Sequence, residues 1–350
     1  MRESGDSNAV AALERNRQLM AGRVGLIGLP VPELPAGSDA GAVAPLVLTE
    51  HAGMAKILEQ GGRCQVRFGY EVPAGDTGTV DTLVIFAPKA RETLSMQLNL
   101  AGMLLAEGGR LLLVGEKREG IAGAARRLQA LASDAYKADS ARHCQVWVAH
   151  LPAQQKEAFE PRHWVRWHEV EVDHTAVPVA GMPGIFSDGR LDQGTAHLLR
   201  TLAEAPVTGP VLDFACGAGV VGAWLQARFP DLGPVDGVDV QAQAVLCARL
   251  TYDRNQAAGR IIASDGLPAD LGRYRTIVTN PPFHSGVRTD TSMTEGFLSQ
   301  ARQHLLPGGE LRLVANRFLP YQDLLEAHVG PSRALFEDSR FVVYQARVPA

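Results

Sequence analysis

Three acids and one amide, each placed where a short apolar run ends, are the residues of this chain best suited to chemistry. Asn280-Pro281-Pro282-Phe283-His284 follows Tyr274-Arg275-Thr276-Ile277-Val278, whose β-branched residues read as a buried strand. Two consecutive prolines forbid that strand from continuing. A carboxamide is thus held on a stiff loop at a strand's carboxyl end, where open parallel α/β sheets bind ligands. Upstream, Val211-Leu212-Asp213-Phe214-Ala215-Cys216-Gly217-Ala218-Gly219 reads as a strand entering a Gly-containing turn and then a helix from Val220 to Arg228. Small residues admit a ligand close to the backbone, and the helix start offers free N–H groups. Dinucleotide-binding turns have no acid where Asp213 stands, and its charge disfavours a pyrophosphate while suiting a cationic or amino-bearing ligand. Asp239 closes the next short strand, 20 positions after Gly219, the spacing at which an acid reaches ribose hydroxyls. Capping the helix over 241–250 is its structural alternative. Asp265, after Ile261-Ile262-Ala263-Ser264, ends a third strand and in this order approaches the base of a bound nucleoside.

The elements that must carry these residues occur twice. Asp81-Thr82-Leu83-Val84-Ile85-Phe86-Ala87-Pro88-Lys89, a helix, Glu107-Gly108-Gly109 and Arg110-Leu111-Leu112-Leu113-Val114-Gly115 run in the same order as Arg275 to Phe283, a helix, Pro307-Gly308-Gly309 and Glu310-Leu311-Arg312-Leu313-Val314-Ala315. Cys144-Gln145-Val146-Trp147-Val148 matches Phe341-Val342-Val343-Tyr344-Gln345 as a last strand. We read a duplicated α/β domain in which Phe86-Ala87-Pro88-Lys89 replaces Asn280-Pro281-Pro282-Phe283 in the first copy. Residues 1 to about 50 show a helical opening over 10–20 and an apolar run, Val24 to Leu29, with no phosphate or nucleoside cradle.

At 350 residues, two domains are expected, and 46% hydrophobic with 21% charged residues is globular composition. No apolar run approaches the roughly 20 residues that cross a bilayer, and 1–12 lacks the basic-then-apolar pattern of a signal peptide. A cytosolic protein is expected. Cys64, Cys144, Cys216 and Cys247 are scattered without a Cys-x-x-Cys pair, so neither a disulfide framework nor a metal site is indicated. The net charge of −4 is nearly balanced in both halves, which excludes a basic nucleic-acid-binding domain by bulk charge. Positive charge is local instead: Lys89 and Arg91, Lys117 and Arg118, Arg126 and Arg127, Lys137 and Arg142, all in the first half. Such groups are either solvated faces or phosphate contacts.

With Asp213, Asp239, Asp265 and Asn280 aligned at strand ends, the sequence resembles the class I S-adenosylmethionine-dependent methyltransferases, and its Asn-Pro-Pro-Phe tetrad resembles those that methylate planar nitrogens. Gly308-Gly309-Glu310-Leu311-Arg312, Val314-Ala315-Asn316 and Phe318-Leu319-Pro320-Tyr321 are similar to the ribosomal RNA small subunit methyltransferase C family of guanine-N2 enzymes. Gly115-Glu116-Lys117-Arg118 and Asp139-Ser140-Ala141-Arg142 extend the resemblance to the first half. It implies two tandem Rossmann-like domains with mostly parallel seven-stranded sheets, each with an antiparallel last strand, the first domain degenerate. The expected boundaries are 1–160 for that domain, 161–183 for a linker and 184–350 for the catalytic domain.

The resemblance also implies S-adenosylmethionine as cofactor, held by Asp213, Ala215, Cys216, Gly217, Gly219, Asp239, Asp265 and Asn280. Gly194 and Thr195 belong either to a flap over it or to a plain domain entry. Ala215 departs from the family pattern, which has a glycine there, and its methyl group narrows the turn. Asn280 and Pro281 would accept the two N–H groups of a guanine amine, Pro282 would fix their geometry and Phe283 would stack on the base. His284 would take a proton or cap the loop, and Lys117, Arg118 and Arg142 would meet phosphates. Expected partners are ribosomal RNA or a small ribosomal subunit particle, with the protein a monomer and no membrane involved. Rival readings are a methyltransferase for large-subunit rRNA guanine, DNA adenine or a protein glutamine, and a non-catalytic RNA-binding assembly factor. A nicotinamide dehydrogenase explains neither Asp213 nor the proline pair.

Overall fold

Val24-Gly25-Leu26-Ile27 and Leu46-Val47-Leu48-Thr49 are buried along their whole length. That is the pattern of parallel strands covered on both faces rather than of strands with one wet face. The computed structural model describes residues 7–39, 41, 43–151, 159–281, 291–319 and 321–350. The chain divides into two compact units, Met1–Trp164 and Val165–Ala350.

The first unit runs α1 (Asn8–Arg15), β1 (Val24–Ile27), β2 (Leu46–Thr49), α2 (Ala52–Gly61), β3 (Gln65–Phe68), β4 (Val80–Phe86), α3 (Arg91–Leu104), β5 (Leu105–Glu116), α4 (Ile121–Leu131), β6 (Tyr136–Asp139) and β7 (Cys144–Ala149). Its seven-stranded sheet has the order β3-β2-β1-β4-β5-β7-β6. Strands β3 to β5 are parallel, and β7 lies antiparallel between β5 and β6.

The second unit begins with a hairpin, β8 (Arg166–Val172) and β9 (Thr175–Gly181). The segment 161–183, expected as a linker, therefore holds a hairpin of this unit, with 161–164 belonging to the first. Its two-residue turn, Asp173-His174, has both residues left-handed (φ 49 and 58), as a type I′ hairpin requires. Val170, Val172, Val177 and Val179 are buried. There follow α5 (Gln193–Glu204), β10 (Val211–Phe214), α6 (Val220–Arg228), β11 (Val235–Asp239), α7 (Ala242–Asn255), β12 (Ile261–Ala263), β13 (Tyr274–Thr279), α8 (Thr291–His304), β14 (Leu305–Asn316), α9 (Tyr321–His328), β15 (Ser332–Glu337) and β16 (Phe341–Arg347). The hairpin lies against α6 and α7, where Trp224 Nε1 donates to the Val172 carbonyl (3.1 Å) and Asn255 Nδ2 to that of Pro178 (2.8 Å).

The second sheet repeats the first, with the order β12-β11-β10-β13-β14-β16-β15 and β16 antiparallel to both neighbours. The repetition extends to single residues. Val24 pairs with Thr82 as Val211 pairs with Thr276. The pairing of β4 with β5 shifts register between Val80 and Thr82, and that of β13 with β14 between Tyr274 and Thr276. Helices α1 and α5 each pack on the fifth and seventh strands of their own sheet. These registers equate Asp213 with Leu26, Ala215 with Gly28, Asp239 with Thr49, Asp265 with Tyr70 and Asn280 with Phe86.

Among the described residues no helix is long and apolar enough to cross a membrane.

Candidate active site

At the carboxyl edge of the second sheet, β10 is central and β11 and β13 flank it. Asp213, one residue before the end of β10, is 2% exposed. It accepts the Gly222 backbone N–H from the first turn of α6, and its Oδ2 has no partner. Burial pushes its carboxyl well above the usual carboxylate range, and the nearby charge of Asp239 adds to this. A buried, incompletely paired acid is costly unless something else uses it.

The turn after β10 is left-handed at Ala215 (φ 56), Gly217 (φ 54) and Gly219 (φ 77). For Ala215 that conformation costs about 1–2 kcal/mol, and its counterpart Gly28, with φ 71, occupies it without penalty. Gly219 is required for close packing, since a Cβ there would stand 3.1 Å from Ala248 Cα. At Gly217 a Cβ would meet no atom within 4 Å, so the backbone is open on that side. Cys216 instead packs its side chain with Val245, Ala248 and Tyr252, and burial pushes its thiol pKa well up. Only its backbone belongs to the turn's outer face.

Asp239 ends β11 and takes the capping role weighed for it. Its Oδ2 accepts the Gly217 N–H (2.8 Å) and its Oδ1 that of Gln241 (2.9 Å), the N-cap of α7. A carboxylate has about four lone-pair sites, so these bonds do not exhaust its acceptors. Burial raises its pKa against these N–H bonds. Asp265 is exposed and stands two residues beyond the end of β12, which stops at Ala263 rather than at the acid. Gln241 Nε2 also donates to the Gly184 carbonyl (3.0 Å), which draws the segment before α5 to this edge.

Asn280 follows β13 directly. Its Nδ2 donates to Thr195 Oγ1 (3.0 Å) and to Asp192 Oδ2 (3.2 Å). Asp192 is the N-cap of α5 and accepts from the Gly194 and Thr195 N–H groups (2.9 and 3.3 Å) and from the Thr195 hydroxyl. With a carboxylate on that side, the amide nitrogen must face it, and Asn280 Oδ1 is left as the outward acceptor. Gly194 lies against the same group: a Cβ there would be 3.5 Å from Asn280 Nδ2. Pro281 is buried. Pro282, Phe283 and His284 lie outside the described residues.

Sequence reasoning singled out Gly194 and Thr195 but not Asp192, which holds both to Asn280 from 88 positions away. Its signal was present as an Asp preceding a helix, which reads as a cap and nothing more.

In the first unit the same edge has lost this equipment. Leu26 replaces Asp213, and Thr49 keeps the capping contact of Asp239 by accepting the His51 N–H (3.2 Å) without its charge. Phe86 (6% exposed) and Tyr70 (4% exposed) fill the positions of Asn280 and Asp265. Tyr70 donates to Glu50 and accepts from Gln97 Nε2 (2.7 Å). Lys117, Arg118 and Arg142 are exposed. They sit together at this edge because the Lys117 N–H donates to the His143 carbonyl (2.8 Å).

The sheet order, the acids at its carboxyl edge and the amide after the fourth strand define a class I S-adenosylmethionine-dependent methyltransferase fold. Residues 11–168 match the N-terminal methyltransferase small domain and 176–345 the methyltransferase small domain. Ribosomal RNA small subunit methyltransferase C of Hahella chejuensis is 46% identical over 269 residues, which are 76% of this chain and 77% of that one. Its namesake from Pseudomonas syringae pv. syringae is 41% identical over 96% of this chain and 98% of its own. The solved Thermus thermophilus 16S rRNA N2 G1207 methyltransferase, in complex with AdoMet and guanosine, is 26% identical with a TM-score of 0.82, and the match covers 99% of this chain and 93% of that one. The chain belongs to the ribosomal RNA small subunit methyltransferase C family.

Proposed function

We propose that this protein methylates the exocyclic N2 amine of a guanine in small-subunit (16S) ribosomal RNA with S-adenosylmethionine, acting as a cytoplasmic monomer on the RNA or on a small-subunit particle. The supporting observation is the fixed carboxamide of Asn280, whose nitrogen is held by Asp192 and Thr195 so that Oδ1 faces outward as an acceptor.

The residues at the edge suit the cofactor. Gly217 gives open backbone beside the turn, Asp239 has spare lone pairs for ribose hydroxyls, and Asp265 is exposed beyond β12 for the base. The buried Asp213 carboxyl has an unpartnered oxygen beneath the turn, and a cation bound there would favour its ionised form. When bound, S-adenosylmethionine supplies an electrophilic methyl group on a sulfonium.

The task left to the chain is to prepare the amine. Guanine N2 is conjugated with its ring and is a weak nucleophile while planar. Asn280 Oδ1 accepts one N–H and the Pro281 backbone carbonyl the other, which bends the group and aims its lone pair. The alkylated amine is strongly acidic, so an orienting acceptor suffices and solvent takes the proton. Phe283 stacks on an extruded base, contributing about 1–3 kcal/mol.

The test is Asn280→Ala on small-subunit RNA that lacks the mark. Methyl incorporation should fall by at least about 100-fold, the scale of removing one preorganised polar contact, with the melting temperature nearly unchanged. Full activity would overturn the mechanism. Mass-spectrometric mapping of the product should place the methyl group on a guanine, and the position equivalent to G1207 of the Thermus enzyme is the first to examine.

A further inference from the structure

Past Asn316, the last residue of β14, the chain makes a tight turn that presents Phe318 to solvent at 80% exposure. The turn is fixed on both sides. The Arg317 N–H donates to the Arg340 carbonyl (2.9 Å), the Leu319 N–H to the Asn316 carbonyl (3.1 Å), and Leu319 is buried. Arg317 is exposed and paired with Glu337 (3.0 Å). Arg340 is exposed too; its guanidinium lies 5.3 Å from the Phe341 ring centroid and gives one N–H to Gln193 Oε1 (2.8 Å). Gln193 is the first residue of α5, next to the Asp192 that holds Asn280. The exposed ring and the two arginines therefore belong to the rim of the Asn280 site.

The duplication supplies an internal comparison. Through the strand registers Lys117 matches Arg317, Arg118 matches Phe318 and His143 matches Arg340, and the bond from the Lys117 N–H to the His143 carbonyl (2.8 Å) repeats the one between Arg317 and Arg340. Both units keep the turn. In the unit that lacks the amide its tip is a cation, and in the unit that bears Asn280 it is an aromatic ring left 80% exposed. A packing role does not explain that ring, because its neighbour Leu319 fills the core.

We propose that Phe318, with Arg317 and Arg340, forms a subsite for the nucleotide adjoining the target guanine in single-stranded RNA. The base stacks on Phe318 and the arginines meet its phosphates. Every base has a face to stack, so this subsite secures an unpaired strand beside the target rather than reading its sequence. Register places Asn280 opposite Val314, so Phe318 stands four residues further along the same edge, at most about 13 Å at strand spacing and less because the chain turns after Asn316. That is within reach of an adjoining nucleotide. The subsite rests on the functional reading above.

The experiment uses the full chain and an RNA fragment centred on the mapped guanine, with 2-aminopurine one nucleotide to either side. Wild-type protein should quench the fluorophore on one side. Phe318→Ala should abolish the quenching and raise KM for RNA about 10-fold, within the range of one lost stack, with kcat and cofactor affinity nearly unchanged. Phe318→Trp should restore both. Arg340→Gln should lower the slope of log Kd against log salt by about 0.7, one phosphate contact on a single strand. Wild-type KM and quenching in Phe318→Ala would overturn the subsite, and so would a defect seen with small-subunit particles but not with RNA, which would indicate a protein contact. Phe318-dependent quenching by a chain that transfers no methyl group would support the subsite and overturn the functional reading. Methylation at full efficiency by Phe318→Ala would do the reverse.

Discussion

Asp213 is the residue whose environment costs this fold most clearly. It is 2% exposed, has one oxygen unpartnered and faces the charge of Asp239. Its pKa is raised in the folded chain, so the folded state holds that proton more tightly than the unfolded state does. The stability it contributes is complete below the unfolded value near 4 and is lost as pH rises through the folded value. Asp213→Asn keeps an acceptor for Gly222 and removes the titration. We expect the variant to be more stable than wild type by about 1 kcal/mol or more at pH 7–8, about 2–4 °C in Tm. The gap should close toward pH 4 in thermal melts across that range. The same variant should bind S-adenosylmethionine about 10-fold more weakly, roughly 1.4 kcal/mol, because an amide cannot ionise when a cation enters the turn. A Tm difference independent of pH would sink the electrostatic account. Ala215 is a smaller cost of the same kind, a left-handed alanine where the first unit has Gly28.

Among the elements, α5 connects the active site to the core. Its N-terminus holds Asn280 through Asp192, and its C-terminal carbonyls of Thr201 and Ala205 accept from Arg312 Nη1 (3.1 and 2.7 Å). Arg312 lies on β14 at 1% exposure and is paired with Glu310 (2.7 Å), which also accepts from Arg347 and Gln345. The first unit has Leu112 at the position of Arg312, so the scaffold does not need a charge there. Arg312→Leu should destabilise the chain by about 3–5 kcal/mol, because Glu310 and two carbonyls lose their shared partner. The double variant E310Q/R312L should recover part of that loss in urea unfolding, and equal losses for the single and double variants would contradict it. Such contacts mark where sequence reading stops. The acids and Asn280 were legible because a charged or amide group at the end of an apolar run is chemically conspicuous. The duplication was legible because two strand–helix–Gly-Gly–strand runs share one order. Strands β2 and β3 were not, since Leu46-Val47-Leu48-Thr49 and Gln65-Val66-Arg67-Phe68 are four residues each and the second is polar and half-exposed. Of the hairpin, Glu169-Val170-Glu171-Val172 reads as a strand, but its pairing with β9 was hidden, since the turn Asp173-His174 lacks the glycine that usually announces a two-residue loop. The Asp192–Asn280 clamp spans 88 positions and exists only after folding.

At the scale of the whole molecule, the chain is one scaffold used twice with opposite equipment. In the second unit the sheet edge carries acids, an outward amide and an exposed aromatic ring. In the first, Leu26, Thr49, Tyr70 and Phe86 occupy the corresponding places, and Lys117, Arg118 and Arg142 are exposed at the edge beside Glu71 and Glu119. The first edge thus lacks the carboxyl groups that suit a sulfonium and keeps Lys117, Arg118 and Arg142 as exposed cations. We propose that the first unit contacts the RNA backbone there. Replacing Lys117, Arg118 and Arg142 together by Ala should lower the salt dependence of RNA binding by about 2 in log–log slope, 0.7 for each single-strand phosphate contact. All three side chains are exposed, so Tm should change little. Binding of S-adenosylmethionine should be unaffected, because its proposed residues all lie in the other unit. An unchanged slope, measured by fluorescence anisotropy from low to physiological salt, would assign these cations to solvation alone and leave RNA recognition to the second unit.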